Sequence, residues 1–197
     1  MRAAERDEDA RAAFRALIAT VDAHRLVVVD EMGSNLALTP LYARAPKGQR
    51  AVGTVPRNHG KNTTVVAALT LHGIGPALIL QGAVDAPAFV AYVREILAPT
   101  LTPGQIVVLD NLSAHTDPQV RQLIEARECQ VLYLPAYSPD FSPIEAAFAK
   151  IKQVLRRLSA RTTEALYAAL AQALECITIQ DAHGFFRHCG YLLPQSL

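Results

Sequence analysis

The chain has 197 residues, 51% of them apolar and 19% charged, which suits one domain with a sizeable buried core. A net charge of +1 excludes a uniformly basic polyanion binder, so any nucleic-acid contact must come from positive charge gathered on one face. Cys129, Cys176 and Cys189 are an odd set without a CxxC pair, which points away from a disulfide framework and towards a reducing, cytoplasmic compartment.

In chain order, residues 1–20 read as a helix, polar at its start, with Phe14, Leu17 and Ile18 apolar. No apolar run there makes a signal peptide, and none elsewhere is long enough to cross a bilayer, so no membrane partner is expected. "RLVVVDEMG" predicts a buried strand from Leu26 to Asp30. "LALTPLYARAPKGQRAVG" reads as a meander of strand-like pieces joined by hairpin turns. "TTVVAALTLHG" and "GPALILQG" are two more strands. "DAPAFVAYVREIL" is a helix with Asp85 as N-cap and Phe89, Val90, Val93 and Leu97 at helical spacing.

"QIVVLDN" is a second buried strand that ends on Asp110. "TDPQVRQLIEAR" is a short helix capped by Asp117 with Pro118 at its first position. "CQVLYLP" is a third buried strand. A helix starts near Pro143, with Ile144, Phe148, Ile151, Leu155 and Leu158 expected on the sheet, and a last helix covers about 163–177. This order predicts an α/β fold with one mixed sheet and helices on its faces, and chemistry at the carboxyl ends of its strands.

Three carboxylates stand where such chemistry gathers: Asp30 and Asp110 at strand ends, and Glu145 at the third position of a helix. Each has a structural reading. A strand-end aspartate is often a turn former, and Ser142-Pro143-Ile144-Glu145 is a capping box with proline in the first turn. Converging on one rim, however, three anions repel one another unless cations neutralise them. Mg²⁺ takes oxygen ligands and keeps waters beside one or two carboxylates. Two ions roughly 3.5–4 Å apart can clamp the attacking and leaving oxygens of a phosphodiester. Pro135, Pro139 and Pro143 stiffen the approach to Glu145 by fixing φ.

"VVVDEMG", "YARAPKGQR", "VVLDNLSAH", "LPAYSPDFSPIE" and "FRHCGY" together resemble the DDE transposase catalytic domains of bacterial insertion sequences in the mariner superfamily, and within it the group of insertion sequence 630. The likeness runs from about Leu26 to Leu192. Asp110 and Glu145 enclose 34 residues (111–144), the spacing of that group. The resemblance implies a ribonuclease-H-like fold of about five strands, residues 26–197 as the catalytic domain with C-terminal helices, and residues 1–25 as a helical extension. It implies Asp30, Asp110 and Glu145 as catalytic metal ligands, and two Mg²⁺ ions, with Mn²⁺ able to substitute. It implies double-stranded DNA as partner, both transposon ends and target, with cleavage and strand transfer as the reaction, a homodimer in the synaptic complex, TA as target dinucleotide and a nucleoid-associated location in a bacterial cytoplasm.

Around the triad, Glu31 points to the opposite sheet face from Asp30 and is expected to be structural or to support the triad from behind. Asn111 and His115 read either as metal-supporting or substrate contacts, or as a turn asparagine and a satisfied histidine. Cys176, His183, His188 and Cys189 match no standard zinc spacing, and that end reads as packing and surface. Two basic clusters read as DNA contacts, against the alternative of a solvated face. One is Arg44, Lys47, Arg50, Arg57 and Lys61. The other is Lys150, Lys152, Arg156, Arg157 and Arg161, of which Lys152 and Arg156 fall within roughly 20° of Glu145 at about 100° per residue.

Fewer than thirty residues precede the first strand, too few for the helix-turn-helix region of complete transposases. The expectation is a separate reading frame joined to an upstream helix-turn-helix partner, or a truncated copy. A catalytically idle remnant that binds DNA or inhibits a full-length transposase is the alternative function.

Overall fold

A computed structural model describes residues 6–193. Five strands form one mixed sheet: β1 (Leu26–Ser34), β2 (Thr63–Thr70), β3 (Gly73–Gln81), β4 (Ile106–Leu109) and β5 (Gln130–Tyr133), in the order β3-β2-β1-β4-β5. β1 pairs antiparallel with β2 and parallel with β4, β2 pairs antiparallel with β3, and β4 pairs parallel with β5. Apolar content explains the order. Leu26–Val29, Val65–Leu69 and Ile106–Leu109 are buried throughout, as strands covered on both faces must be. β3 is an edge strand and holds Pro76, which lacks a ladder donor and is tolerated only there.

Six helices cover the faces: α1 (Glu8–Ile18), α2 (Ala86–Tyr92), α3 (Pro118–Glu125), α4 (Pro143–Leu158), α5 (Thr163–Glu175) and α6 (Ile179–His188). One face carries α1, α4, α5 and α6, packed through Phe14, Ile18, Ile144, Phe148, Leu170 and Phe186 onto Leu26, Val28 and Met32. The other carries α2 and α3, packed through Phe89, Val93, Val120 and Ile124 onto Val27, Val29 and Leu109. Asp85 and Asp117 cap α2 and α3 with their side chains, and α2 widens into a π turn over Val93–Leu97.

Four expectations from the sequence are corrected. Residues 36–53 form no strands; this stretch runs as irregular chain, its prolines and glycines breaking any extended run, and both sides of β1 are already paired. The helix over 163–177 is not the last, because Thr178 and Asp181 close a reciprocal capping box that starts α6. Ser142 gives α4 no side-chain cap; only its carbonyl serves, accepting from the Glu145 N–H at 3.2 Å. Leu158 is 41% exposed rather than packed on the sheet, and Ala147 fills the α4 stripe instead.

Candidate active site

Strand register brings the carboxylates together. Val28 of β1 lies beside Val108 of β4 in a parallel ladder, so Asp30 and Asp110, each two residues further on, stand side by side; Asp110 follows the end of β4, but Asp30 does not end its strand as the sequence suggested, because β1 runs on to Ser34 in its pairing with β2. Alternation puts both on the face of Val28 and Val108, the face on which α4 packs. Glu145, on the first turn of α4, therefore arrives from above. All three line one cavity of about 420 Å³, whose remaining wall comes from Asn111, Leu112 and the segment 134–142.

The segment leading to Glu145 is held from both ends of the chain. Arg11 of α1, 1% exposed, donates two hydrogen bonds to the Asp140 carboxylate at 3.0 and 2.6 Å. Its guanidinium lies over the Phe141 ring at 4.5 Å, and Phe14 packs on the same ring. From the C-terminal side, the buried Tyr191 hydroxyl donates to the Phe141 carbonyl at 2.8 Å. The Asn111 amide donates to the Leu134 carbonyl at 2.6 Å, tying the loop after β4 to the end of β5.

Beneath the cavity, fully buried His115 bridges two carboxylates. Its Nδ1 donates to Asp110 at 2.5 Å and its Nε2 to Glu31 at 2.9 Å, while Phe89 packs on the ring. Burial opposes a charge on the imidazole, but the two carboxylates outweigh it and lift its pKa to about 9. Burial also pushes the Asp110 carboxyl up; the His115 hydrogen bond, the Leu112 N–H and the histidine charge reverse this and hold it below the ordinary carboxylate range. Asp30 has no such cation. Burial pushes its carboxyl up, the Glu31 N–H counters this in part, and the charges of Asp110, Glu31 and Glu145 add to the rise, carrying it to about 7.

These residues fit a hard divalent cation by their chemistry. Asp30, Asp110 and Glu145 present oxygen alone, both nitrogens of His115 are engaged, and a carboxylate crowded by like charge ionises more readily once a cation stands beside it. Among the described residues no three His, Cys, Asp or Glu side chains are arranged to enclose a metal ion. A magnesium-type ion held by one or two carboxylates and water needs no such enclosure.

Of the other predicted residues, Glu31 does sit on the opposite face, where it reaches His115. Lys47 and Arg50 are exposed on the irregular 35–62 stretch. Lys152 and Arg156 are half-buried on α4 and do not line the carboxylate cavity; Arg156 lines a neighbouring groove with Arg157, Gln153 and Pro40–Tyr42. Two members of the second basic cluster are engaged within the fold. Lys150 pairs with Asp181 at 2.6 Å, and Arg161 donates to the Leu36 and Leu38 carbonyls. Arg11 was missed by sequence reasoning, although its place in line with Phe14 and Ile18, at i, i+3 and i+7, sets a charge on the apolar stripe of α1.

A five-stranded mixed sheet with helices on both faces, and acidic side chains converging from β1, the end of β4 and a following helix, defines a ribonuclease-H-like architecture. Residues 25–167 match the family model of the DDE superfamily endonucleases, and the chain belongs to that family. A comparison with curated proteins finds no significant match. Among solved structures, the Mos1 transposase paired-end complex with left transposon end superposes with a TM-score of 0.72 at 21% identity, over 94% of this chain and 58% of that one. The catalytic domain of Mos1 mariner transposase gives a TM-score of 0.66 at 18% identity, over 96% and 89%. The Mos1 mariner paired-end complex with Mn gives 0.72 at 22%, over 94% and 60%. The chain thus spans little more than half the length of the full Mos1 transposase.

Proposed function

We propose that this chain is the catalytic domain of an insertion-sequence transposase, cutting DNA at a transposon end and joining the freed strand to target DNA. The observation that carries the reading is the single cavity shared by Asp30, Asp110 and Glu145 in a DDE-family chain. Residues 26–197 form the proposed catalytic unit and 1–25 an extension, whose α1 packs onto that unit through Phe14 and Ile18. Asp30, Asp110 and Glu145 would hold the two Mg²⁺ or Mn²⁺ ions, which when bound lower the pKa of the attacking water and stabilise charge on the departing oxygen. Solved Mos1 structures carrying Mn or Mg support this choice of ion.

The chain's own residues supply positioning. His115 fixes the Asp110 carboxylate from below through Nδ1 and is itself held by Glu31. Asn111 fixes the loop that carries Asp110, and the locked segment 138–142 fixes the start of α4, hence Glu145. Lys152, Arg156, Lys47 and Arg50 are proposed to contact phosphates, which position a duplex without reading it. This chain alone is therefore expected to bind DNA with little sequence preference and a steep salt dependence. Double-stranded DNA, a second copy in the synaptic complex and an upstream helix-turn-helix region are the proposed partners.

Strand transfer of a pre-cleaved end in Mg²⁺ or Mn²⁺ tests the reading. Joined product that disappears on Asp110→Asn supports it. No product with either ion, alongside retained DNA binding, leaves only the DNA-binding or inhibitory role.

A further inference from the structure

The sheet ends on two edges of unequal protection. β5 is four residues long, and an edge that short gives another chain little to pair with. β3 runs for nine residues, Gly73–Gln81, and among the described residues no strand pairs with its outer side. Its first half is blunted. Pro76 lacks a donor, its carbonyl accepts from the Tyr92 hydroxyl at 2.9 Å, and the register with β2 slips between Ala67 and Leu69. Its second half, "ALILQ" from Ala77 to Gln81, holds no proline and no charge, the devices that ordinarily keep an edge unpaired. Gly82, at φ +102°, then ends the run.

Hydrogen-bond alternation fixes which groups of this run face outward. The Gly82 N–H donates to the Asn62 carbonyl at 2.7 Å, one step beyond the Thr63–Gln81 pair, so Gly82 faces β2. In an antiparallel pair every second residue does so. Leu78 and Leu80 therefore turn towards β2, and the N–H and C=O groups of Ala77, Ile79 and Gln81 point out of the sheet. Side chains alternate between the two faces. Ala77 and Ile79 pack on the core beneath α4, α5 and α6, and Leu78 packs on the core beneath α2 and α3. Leu80 is half-buried and packs on neither.

We propose that this run pairs antiparallel with the same run of a second copy of the chain, about a two-fold axis at Ile79, joining two sheets into one. The occupant follows from the symmetry of the run itself. Its outward groups are spaced evenly about Ile79, so an axis there sets Ile79 opposite the partner's Ile79 and Ala77 opposite the partner's Gln81. Each such pair exchanges two hydrogen bonds, about six in all, and no outward group of the run is left over. On the α2 face the same axis sets Leu80 against the partner's Leu78, in the closer, non-hydrogen-bonded position. That contact covers the leucine that neither core holds. A two-fold contact of this kind closes on itself, and with no charge in the run nothing repels its own copy. β2 separates β3 from the strand that carries Asp30, so both carboxylate cavities stay open. The pairing requires no DNA and goes beyond the function proposed above.

The test is sedimentation velocity on the full chain, without DNA or divalent ions, over about 1–100 µM protein. The wild type should pass from monomer to dimer as concentration rises. Leu80→Lys places a charge where the partner's Leu78 must pack, and should stay monomeric throughout. Gln81→Pro changes an exposed residue whose N–H faces outward, so the ladder with β2 is kept. By symmetry it removes two of the hydrogen bonds between copies, and it should raise the dimer dissociation constant about tenfold or more. Far-UV circular dichroism identifies which variants fold as the wild type does; if Leu80→Lys does not, Gln81→Pro carries the test. A wild type that stays monomeric across the range, or a dimer that either folded variant leaves unchanged, overturns the proposal. With neither DNA nor metal present, that failure leaves the transposase reading untouched, which fails only in the strand-transfer assay.

Discussion

Arg11 and Asp140 allow a prediction in which the more exposed partner matters more. Arg11 is 1% exposed and Asp140 51% exposed, joined by two charge-assisted hydrogen bonds. Arg11→Met removes the guanidinium but keeps an apolar stem over Phe141. The Asp140 carboxylate left behind is free to rehydrate, so the loss is about that of one hydrogen bond to a charged group, roughly 2 kcal/mol. Asp140→Asn leaves a buried guanidinium without its anion. Glu8 stands 3.6 Å away, and the Arg11 Nε lacks a hydrogen-bond partner among the described residues. An uncompensated buried charge costs about 3–5 kcal/mol, and Glu8 brings the expectation to the lower end of that range. For a domain of this size each kcal/mol lowers Tm by about 2–4 °C, so Arg11→Met should melt about 4–8 °C below wild type and Asp140→Asn lower still. Urea unfolding followed by circular dichroism gives the free energies, and the double variant should cost less than the two singles added. If Arg11→Met proves the more damaging, or Asp140→Asn stays within about 0.5 kcal/mol of wild type, the difference in what each leaves buried is not what decides the outcome.

Asp110→Asn should abolish cleavage and strand transfer with the fold intact, because it removes one anionic ligand at nearly constant volume; residual activity within about tenfold of wild type would contradict the assigned role. Lys152→Ala combined with Arg156→Ala should weaken DNA binding and flatten its salt slope, whereas Lys150→Ala should mainly loosen α6 through its lost pair with Asp181; an unchanged slope in the double variant transfers the DNA contact to the stretch around Lys47. The Lys150 hydrogen bond, then those from the Thr178 N–H and hydroxyl, hold the Asp181 carboxyl down to about 2. Since that lies below the unfolded value of about 3.9, the stabilisation is complete above roughly pH 4 and is lost as pH falls towards 2. Wild-type stability should approach that of Asp181→Asn through this window, and a gap that stays constant with pH would argue against the linkage.

Much of the architecture was legible along the chain. "LVVV", "TVVAAL" and "IVVL" are apolar without alternation, and that pattern marks strands covered on both faces before any partner is known. Asp85 and Asp117 before helical runs, and Pro118 and Pro143 at first turns, announce where helices begin, because capping is chemistry between near neighbours in sequence. The positions of Asp110 at a strand end and Glu145 at a helix start were readable for the same reason; Asp30 was read as a strand end, but β1 continues past it to Ser34 through its pairing with β2.

What the sequence could not carry were matches between distant residues. Ser142-x-x-Glu145 has the form of a capping box, yet neither side chain makes the cap, while Thr178 and Asp181, less prominent in sequence, do. Residues 36–53 have strand-like pieces, but β1, the strand they follow, is paired on both sides, by β2 and β4, a fact known only once the sheet is assembled. That Asp30 and Asp110 adjoin depends on the parallel register of β1 on β4. That Arg11 grips Asp140, 129 residues away, depends on where α1 docks. Local sequence decides backbone shape because that energy is local. Partners for a buried charge, and the edge that β3 leaves open, are decided only when the whole chain has chosen what to exclude from water.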